Sequence, residues 1–281
     1  MRRTDPSSLP AAVGAVAAAL LFGFSGLASA QQGGDSPPPS SPLLFALGMN
    51  DPGVSNGSVN DIRMPFSYTL IQPEGRSWGL RLRLIVYAGI YDLDFADAAN
   101  LDVRFQSMAA TPGVEFLLPV GKGWTLKPFT EIGYARDFDQ DVDFGVWSLG
   151  MRTLTEWQQR EVQFRFGTMV QYLSTFQTDL ELSDDFFELM VGFDVGFPLG
   201  FDIGGHQAFL SAYAIRRQYI DALIARPTAE PIQIQFDNEI GLAFGTRPKI
   251  KLGFITLPRI GVGYRWGPNV SGWRLNFGFP F

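Results

Sequence analysis

The last nine residues of the chain read Trp273-Arg-Leu-Asn-Phe-Gly-Phe-Pro-Phe281, with an apolar side chain at every second position. Successive side chains of a β-strand point to opposite faces, so this period of two describes a ribbon with one oily side and one polar side. The same pattern recurs upstream. Trp78, Leu80, Leu82, Leu84 and Val86 oppose Gly79, Arg81 and Arg83. Val162, Phe164, Phe166 and Val170 oppose Gln163, Arg165, Gly167 and Gln171. Phe187, Leu189, Val191, Phe193, Val195 and Phe197 oppose Glu188, Met190, Gly192, Asp194 and Gly196. Ile240, Leu242 and Phe244 follow Asp237 and Glu239, and Ile260, Val262, Tyr264 and Trp266 oppose Arg259, Gly261, Gly263 and Arg265. Strands of a soluble sandwich run about five or six residues. These runs reach about ten, the length a tilted strand needs to cross a bilayer.

The other end of the chain agrees. Arg2 and Arg3 precede the apolar run Ala11–Phe24, and Ala28-Ser29-Ala30 supplies small residues for cleavage before Gln31. Residues 1–30 therefore read as a secretory signal peptide, too short in its apolar part for a spanning helix. Gln31–Pro42, centred on Pro37-Pro38-Pro39, reads as an extended periplasmic tether. Residues 43–281 contain no uninterrupted apolar stretch of helix-spanning length, which sets aside a helical membrane protein. The chain has no Cys, so neither a disulfide framework nor a lipid anchor on Cys is expected. Removing Arg2, Arg3 and Asp5 with the signal leaves 20 of 22 basic and 27 of 28 acidic side chains, a formal charge of −7. Nucleic acid is not an expected partner for such a surface.

Strands are expected near 61–72, 78–91, 107–119, 124–136, 144–156, 160–173, 185–198, 206–218, 232–246, 255–266 and 271–281, with a first strand at Leu43–Met49. Three of these (107–119, 144–156 and 206–218) alternate poorly. Short connections such as Pro73–Ser77, Val120–Gly123 and Gln158–Gln159 alternate with longer acidic ones: Asp92–Asn100, Asp137–Asp143, Ser174–Asp184 and Ile220–Pro231. Bacterial outer-membrane barrels have this asymmetry of short periplasmic turns and longer outer loops, and an even strand number. The expected fold is an all-β, antiparallel transmembrane β-barrel of about twelve strands, ten also fitting, integral to the bacterial outer membrane. Its expected partners are outer-membrane lipid, lipopolysaccharide, and the barrel-assembly machinery that reads a C-terminal strand ending in Phe281.

Chemistry is sparse. The one histidine, His206, falls in an expected periplasmic turn. Ser211 lies five residues on, which puts it on the opposite face of a strand and out of reach as a nucleophile partner. No enzyme and no cofactor are expected. Asp137, Asp139, Asp141 and Asp143 alternate in one outer loop like the start of a calcium site, but position six is Val142 and position twelve Ser148, so an EF-hand is rejected. These four remain an outer-loop cation candidate. The expected interior faces carry Arg81, Arg83, Arg165, Arg259, Arg265 and Arg274 beside Glu115, Glu131, Glu188, Asp194, Asp237 and Glu239. Equal numbers of each sign suggest a wall of ion pairs. A basic sector facing an acidic one would give the transverse field of a porin constriction, and simple satisfaction of buried charge is the plainer alternative.

The stretch Ala110-Thr-Pro-Gly-Val-Glu-Phe-Leu-Leu-Pro-Val-Gly-Lys-Gly-Trp124-Thr-Leu-Lys-Pro128-Phe, continuing through Glu131-Ile-Gly-Tyr-Ala-Arg136, resembles the barrel domains of autotransporters. There a strand ending near Pro, a Gly-rich turn and a Trp-x-Leu-x-Pro strand recur as a unit. The similarity spans roughly residues 43–281 and implies a twelve-stranded barrel with an aromatic C-terminus, here a solitary one without a secreted passenger. The expected function is a narrow, ion-pair-lined pore for small solutes. The alternative is a non-conducting structural or adhesive barrel whose acidic outer loops bind a ligand or cation.

Overall fold

The computed structural model describes residues 60–74, 76–91, 104–138, 141–177, 182–220, 235–248, 250–252, 255–256, 259–268 and 270–281. The expected signal peptide, tether, Leu43–Met49 strand and most long loops lie outside the described residues. Within them the chain is all-β. The strands are β1 (Asn60–Ile71), β2 (Gly79–Tyr91), β3 (Arg104–Gly121), β4 (Trp124–Asp137), β5 (Val142–Gln159), β6 (Val162–Gln177), β7 (Leu182–Ile203), β8 (His206–Ile220), β9 (Phe236–Arg247), β10 (Lys251–Leu252), β11 (Ile255–Thr256), β12 (Ile260–Gly267) and β13 (Val270–Phe277).

Eleven of these close into a barrel in the order β1-β13-β12-β9-β8-β7-β6-β5-β4-β3-β2, and β10 and β11 form a separate small hairpin. Every neighbouring pair is antiparallel except the seam. There β1 and β13 run in the same direction through three residue pairs, Asp61↔Arg274, Ile62↔Leu275 and Arg63↔Asn276. An odd count forces such a parallel closure, because alternate strands reverse direction. The expected strand 255–266 is divided here into the β10–β11 hairpin's second strand and a shorter β12.

Long strands leave an outer surface that would be unstable in water. Ile132 (65 % exposed), Leu149, Ile240 and Leu242 all face outward in the middle of their strands. A contiguous apolar belt of this kind marks contact with lipid. Aromatic rings collect at its two edges. Trp78, Trp124 and Trp157 lie at the end with the tight turns Lys122–Gly123, Arg160–Glu161 and Gly204–Gly205. At the opposite end, Trp147, Tyr172 and Phe187 form a row with ring centroids 5.2 and 5.1 Å apart, and Tyr264 packs on Trp266 and Trp273. Amphipathic rings favour headgroup depth, so paired girdles delimit the apolar core of a bilayer.

One element departs from expectation in a way that shapes the interior. The closing strand does not run to residue 281; β13 stops at Phe277. Gly278 adopts φ +100°, a conformation open to glycine and strained for other residues, and its N–H donates to the Arg259 carbonyl at 2.8 Å. Phe279, Pro280 and Phe281 then turn into the barrel. The Phe281 ring is buried against Phe129, Met169, Met190, Tyr213, Ile215 and Ala243, with Phe279 packed beside it.

Geometry explains why that space exists. With strands about 4.8 Å apart and tilted about 40°, eleven of them enclose a cylinder roughly 22 Å across between backbones. About eight strands is the size that wall side chains alone can fill. Here long arginines and the inserted C-terminal segment occupy the difference.

Candidate functional site: the barrel interior

The interior faces of β1 to β4 carry odd-numbered residues, and β5 carries even-numbered ones. The turn Arg160–Glu161, with Arg160 at φ +56°, sets the inward face of β6 back to odd numbers. β7 presents Glu188, Met190, Gly192 and Asp194; β8 presents Ser211, Tyr213, Ile215, Arg217 and Tyr219. Each charged residue singled out on the interior faces in the sequence is found there. They are brought together in three groups rather than in a basic and an acidic sector.

The first group spans β2 to β5. Glu115 accepts from Arg81 at 3.2 Å and from Arg83 at 3.3 Å. Arg83 also reaches Glu131 at 3.0 Å, and Arg152 reaches Glu131 at 3.1 Å. The Arg152 guanidinium lies 3.9 Å from the Phe129 ring centroid, within cation–π range. The second group joins β7, β8, β9, β12, β13 and β1. Asp237 holds Arg217 and Arg265, both at 2.8 Å. Glu239 holds Arg217 at 2.7 Å and Arg274 at 3.4 Å, while Arg274 also pairs with Asp61 at 2.6 Å. Glu188 faces Arg217 at 3.8 Å and accepts from Gln171 at 2.7 Å. Phenols complete the set: Tyr219 donates to Asp237 at 2.6 Å and Tyr213 to Glu239 at 3.1 Å. In the third group, nearest the tight turns, Asp194 accepts from Arg259 at 2.6 Å and from Arg165 at 3.4 Å.

Several of these bonds skip strands. Arg83 bridges β2 to β4, and Arg274 bridges β13 to β9. Asn276 on β13 donates to the Tyr213 hydroxyl on β8 at 2.8 Å, across both β12 and β9. Such chords tie the wall together from inside. Most members are also sealed from solvent: Glu115 is 2 % exposed, Arg265 1 %, and Asp194, Asp237 and Glu239 0 %, while Arg81 and Arg165 are partly exposed.

The sequence does not point to Arg63, Arg152, Arg217, Asp61, Tyr213 and Tyr219, and four of these lie on β5 or β8, two of the strands whose alternation is poor. The reason is now visible. Those interior faces also carry Phe144, Val146, Phe209 and Ile215, so polar and apolar residues do not sort cleanly by face.

On the other side of the inserted tail from the Asp194 group lies a narrow chamber. Pro280 forms part of its wall, together with Arg63, Tyr87, Ser148, Gln171 and Glu188.

The other candidates disperse. Asp137 is buried on the inward face, while Asp141 and Asp143 both pair outside with Arg136, Asp143 at 3.1 Å. Asp139 lies outside the described residues, and no metal-holding cluster occurs among those described. The imidazole Nδ1 of His206 is 2.8 Å from the Pro248 carbonyl. The Ser211 hydroxyl instead accepts from Arg259 at 2.7 Å and donates to the Ala243 carbonyl at 3.3 Å. Histidine and serine are thus each engaged elsewhere.

No protein-family model matches the chain, and no curated protein matches it. Among solved structures, the barrel resembles LpxR from Salmonella typhimurium, with 12 % identity, a TM-score of 0.43, and coverage of 77 % of this chain and 88 % of that one. It also resembles the outer membrane transporter YddB from Escherichia coli, with 11 % identity, a TM-score of 0.29, and coverage of 76 % of this chain and 35 % of that one.

Proposed function

We propose that this chain is an integral outer-membrane β-barrel whose lumen is closed, so that it acts through what it presents outside the membrane rather than as an open pore. The observation that carries this reading is the sealing of the interior: Glu115, Glu188, Asp194, Asp237, Glu239 and Arg265 have 2 % exposure or less. An apolar belt between two aromatic girdles supports a membrane-spanning position. The tight-turn end then faces the periplasm and the opposite end, with Asp141 and Asp143, faces outward. The resemblance of the β3–β4 hairpin to autotransporter barrels supports the same compartment. In this reading the interior ion pairs hold the wall's shape instead of selecting a solute. Proteoliposomes carrying the refolded protein should swell in small sugars no faster than empty vesicles. Swelling at a porin-like rate would contradict the reading.

A further inference from the structure

We infer that Phe279–Phe281 is an internal stopper, seated in a glycine-floored cradle of the barrel wall, and that the path along the lumen is closed mainly by it. The inference rests on the closed-barrel reading above and names the part that does the closing.

The cradle is built for a ring. Gly167 on β6 and Gly192 on β7 sit side by side in register, both facing inward. A Cβ on Gly167 would lie 2.3 Å from Cγ of Phe281, and one on Gly192 would lie 2.4 Å from its Cε2. The nearest atoms to the Gly167 position all belong to Phe281. No side chain fits at either position while the ring is in place. Met169, Met190, Tyr213 and Ile215 wall the same space, an apolar island between two charged groups.

The segment is attached differently from the wall. Residues 279–281 lie outside every strand, so they share none of the ladder bonds that fix β13. Their seat is made of ring contacts: Phe279 to Phe281 at 5.1 Å, and Arg259 over Phe279 at 5.2 Å. Gly278, at φ +100°, is the pivot. One side of Pro280 faces the chamber, while the Arg259–Asp194 group lies toward the tight turns. The segment thus stands between the two polar compartments. Withdrawing it would leave a gap walled by Met169, Met190, Tyr213 and Ile215, joining the chamber lined by Arg152, Glu131, Arg217 and Glu188 to the Arg259–Asp194 group, a route for small solutes.

The test is single-channel recording of the full chain, refolded and shown to be folded by its heat-dependent gel shift. Phe281→Ala empties the cradle, and the Gly167→Ala/Gly192→Ala double variant evicts the ring without altering the tail. Val262→Ala, on the lipid face, is the control. We expect no steps from the unaltered protein or Val262→Ala, and discrete ohmic steps from both cradle variants. If the folded variants stay silent while the unaltered protein is also silent, the stopper inference is overturned and the closed barrel stands. If the unaltered protein already conducts as the variants do, the closed-barrel reading itself fails. Should Phe281→Ala not refold, the glycine variant alone decides.

Discussion

The Arg259 guanidinium, just ahead of β12, meets the Asp194 carboxylate of β7 at 2.6 Å, with β9 and β8 lying between the two in the wall. A bond of this span couples strands that share no ladder. Both partners are buried, and Asp194 also serves Arg165. Removing the carboxylate therefore leaves the buried Arg259 guanidinium without its counter-ion, while Arg165 keeps Glu156 at 2.8 Å. We expect Asp194→Ala to cost about 3–5 kcal/mol, because an uncompensated buried charge is the expensive product of breaking such a pair. Urea unfolding in lipid vesicles, followed by tryptophan fluorescence, measures this. The Asp194→Leu/Arg259→Met double variant should recover part of the loss.

Tyr213 illustrates a denser junction. Its hydroxyl donates to Glu239 and accepts from Asn276, while the ring lies over Gly241 and Gly263, where a Cβ would come within 2.4 Å of it. Tyr213→Phe should cost about 1.5–3 kcal/mol, the range for a hydrogen bond to a charged group. Gly263→Ala should be destabilising in the native background and only partly relieved by Tyr213→Ala, because Glu239 Oε1 also lies 2.7 Å from that Cβ position. The same unfolding assay reads both.

The outer face obeys a different rule. Leu242 is 56 % exposed at the middle of β9, flanked by Ile240 and Phe244 on the same face. Leu242→Arg should cost about 2–4 kcal/mol, as arginine does near a bilayer midplane. The same substitution on a soluble surface would move stability by no more than about 0.5 kcal/mol. Unfolding midpoints in vesicles separate the two cases.

His206 gives a contrasting prediction. It sits in the β7–β8 turn region with one ring nitrogen against a backbone carbonyl, and the Ser211 hydroxyl is committed to Arg259 and Ala243. His206→Ala should leave stability within about 0.5 kcal/mol of the native value. A larger loss would assign the histidine a role that its position does not explain.

The parts of this fold that were legible in the sequence are those where one face is uniformly oily. Leu80 to Val86, Phe187 to Phe197 and Ile260 to Trp266 alternate cleanly, and the inward Arg and Glu residues opposite them followed from period alone. What stayed hidden has one physical source. The interior is not uniformly polar: its middle is apolar around Phe281, so Phe129, Ile215 and Met190 face inward beside Glu131, Arg217 and Glu188. Period two cannot flag a face that mixes both classes. The direction of Phe281 was hidden for a related reason. Phe277, Phe279 and Phe281 continue the alternation of β13 unbroken, and only Gly278 marks the point where the chain leaves the sheet.

The inside–outside assignment underlies everything above, and it can be measured on one strand. The chain has no native Cys, so single nitroxide labels can be placed at Thr168, Met169, Val170, Gln171 and Tyr172 of β6 without background. After refolding into vesicles, collision with oxygen, which concentrates in lipid, should be high at 168, 170 and 172. It should be low at 169 and 171, whose side chains line the interior chamber. The opposite phase, or no period of two, would contradict the barrel described here.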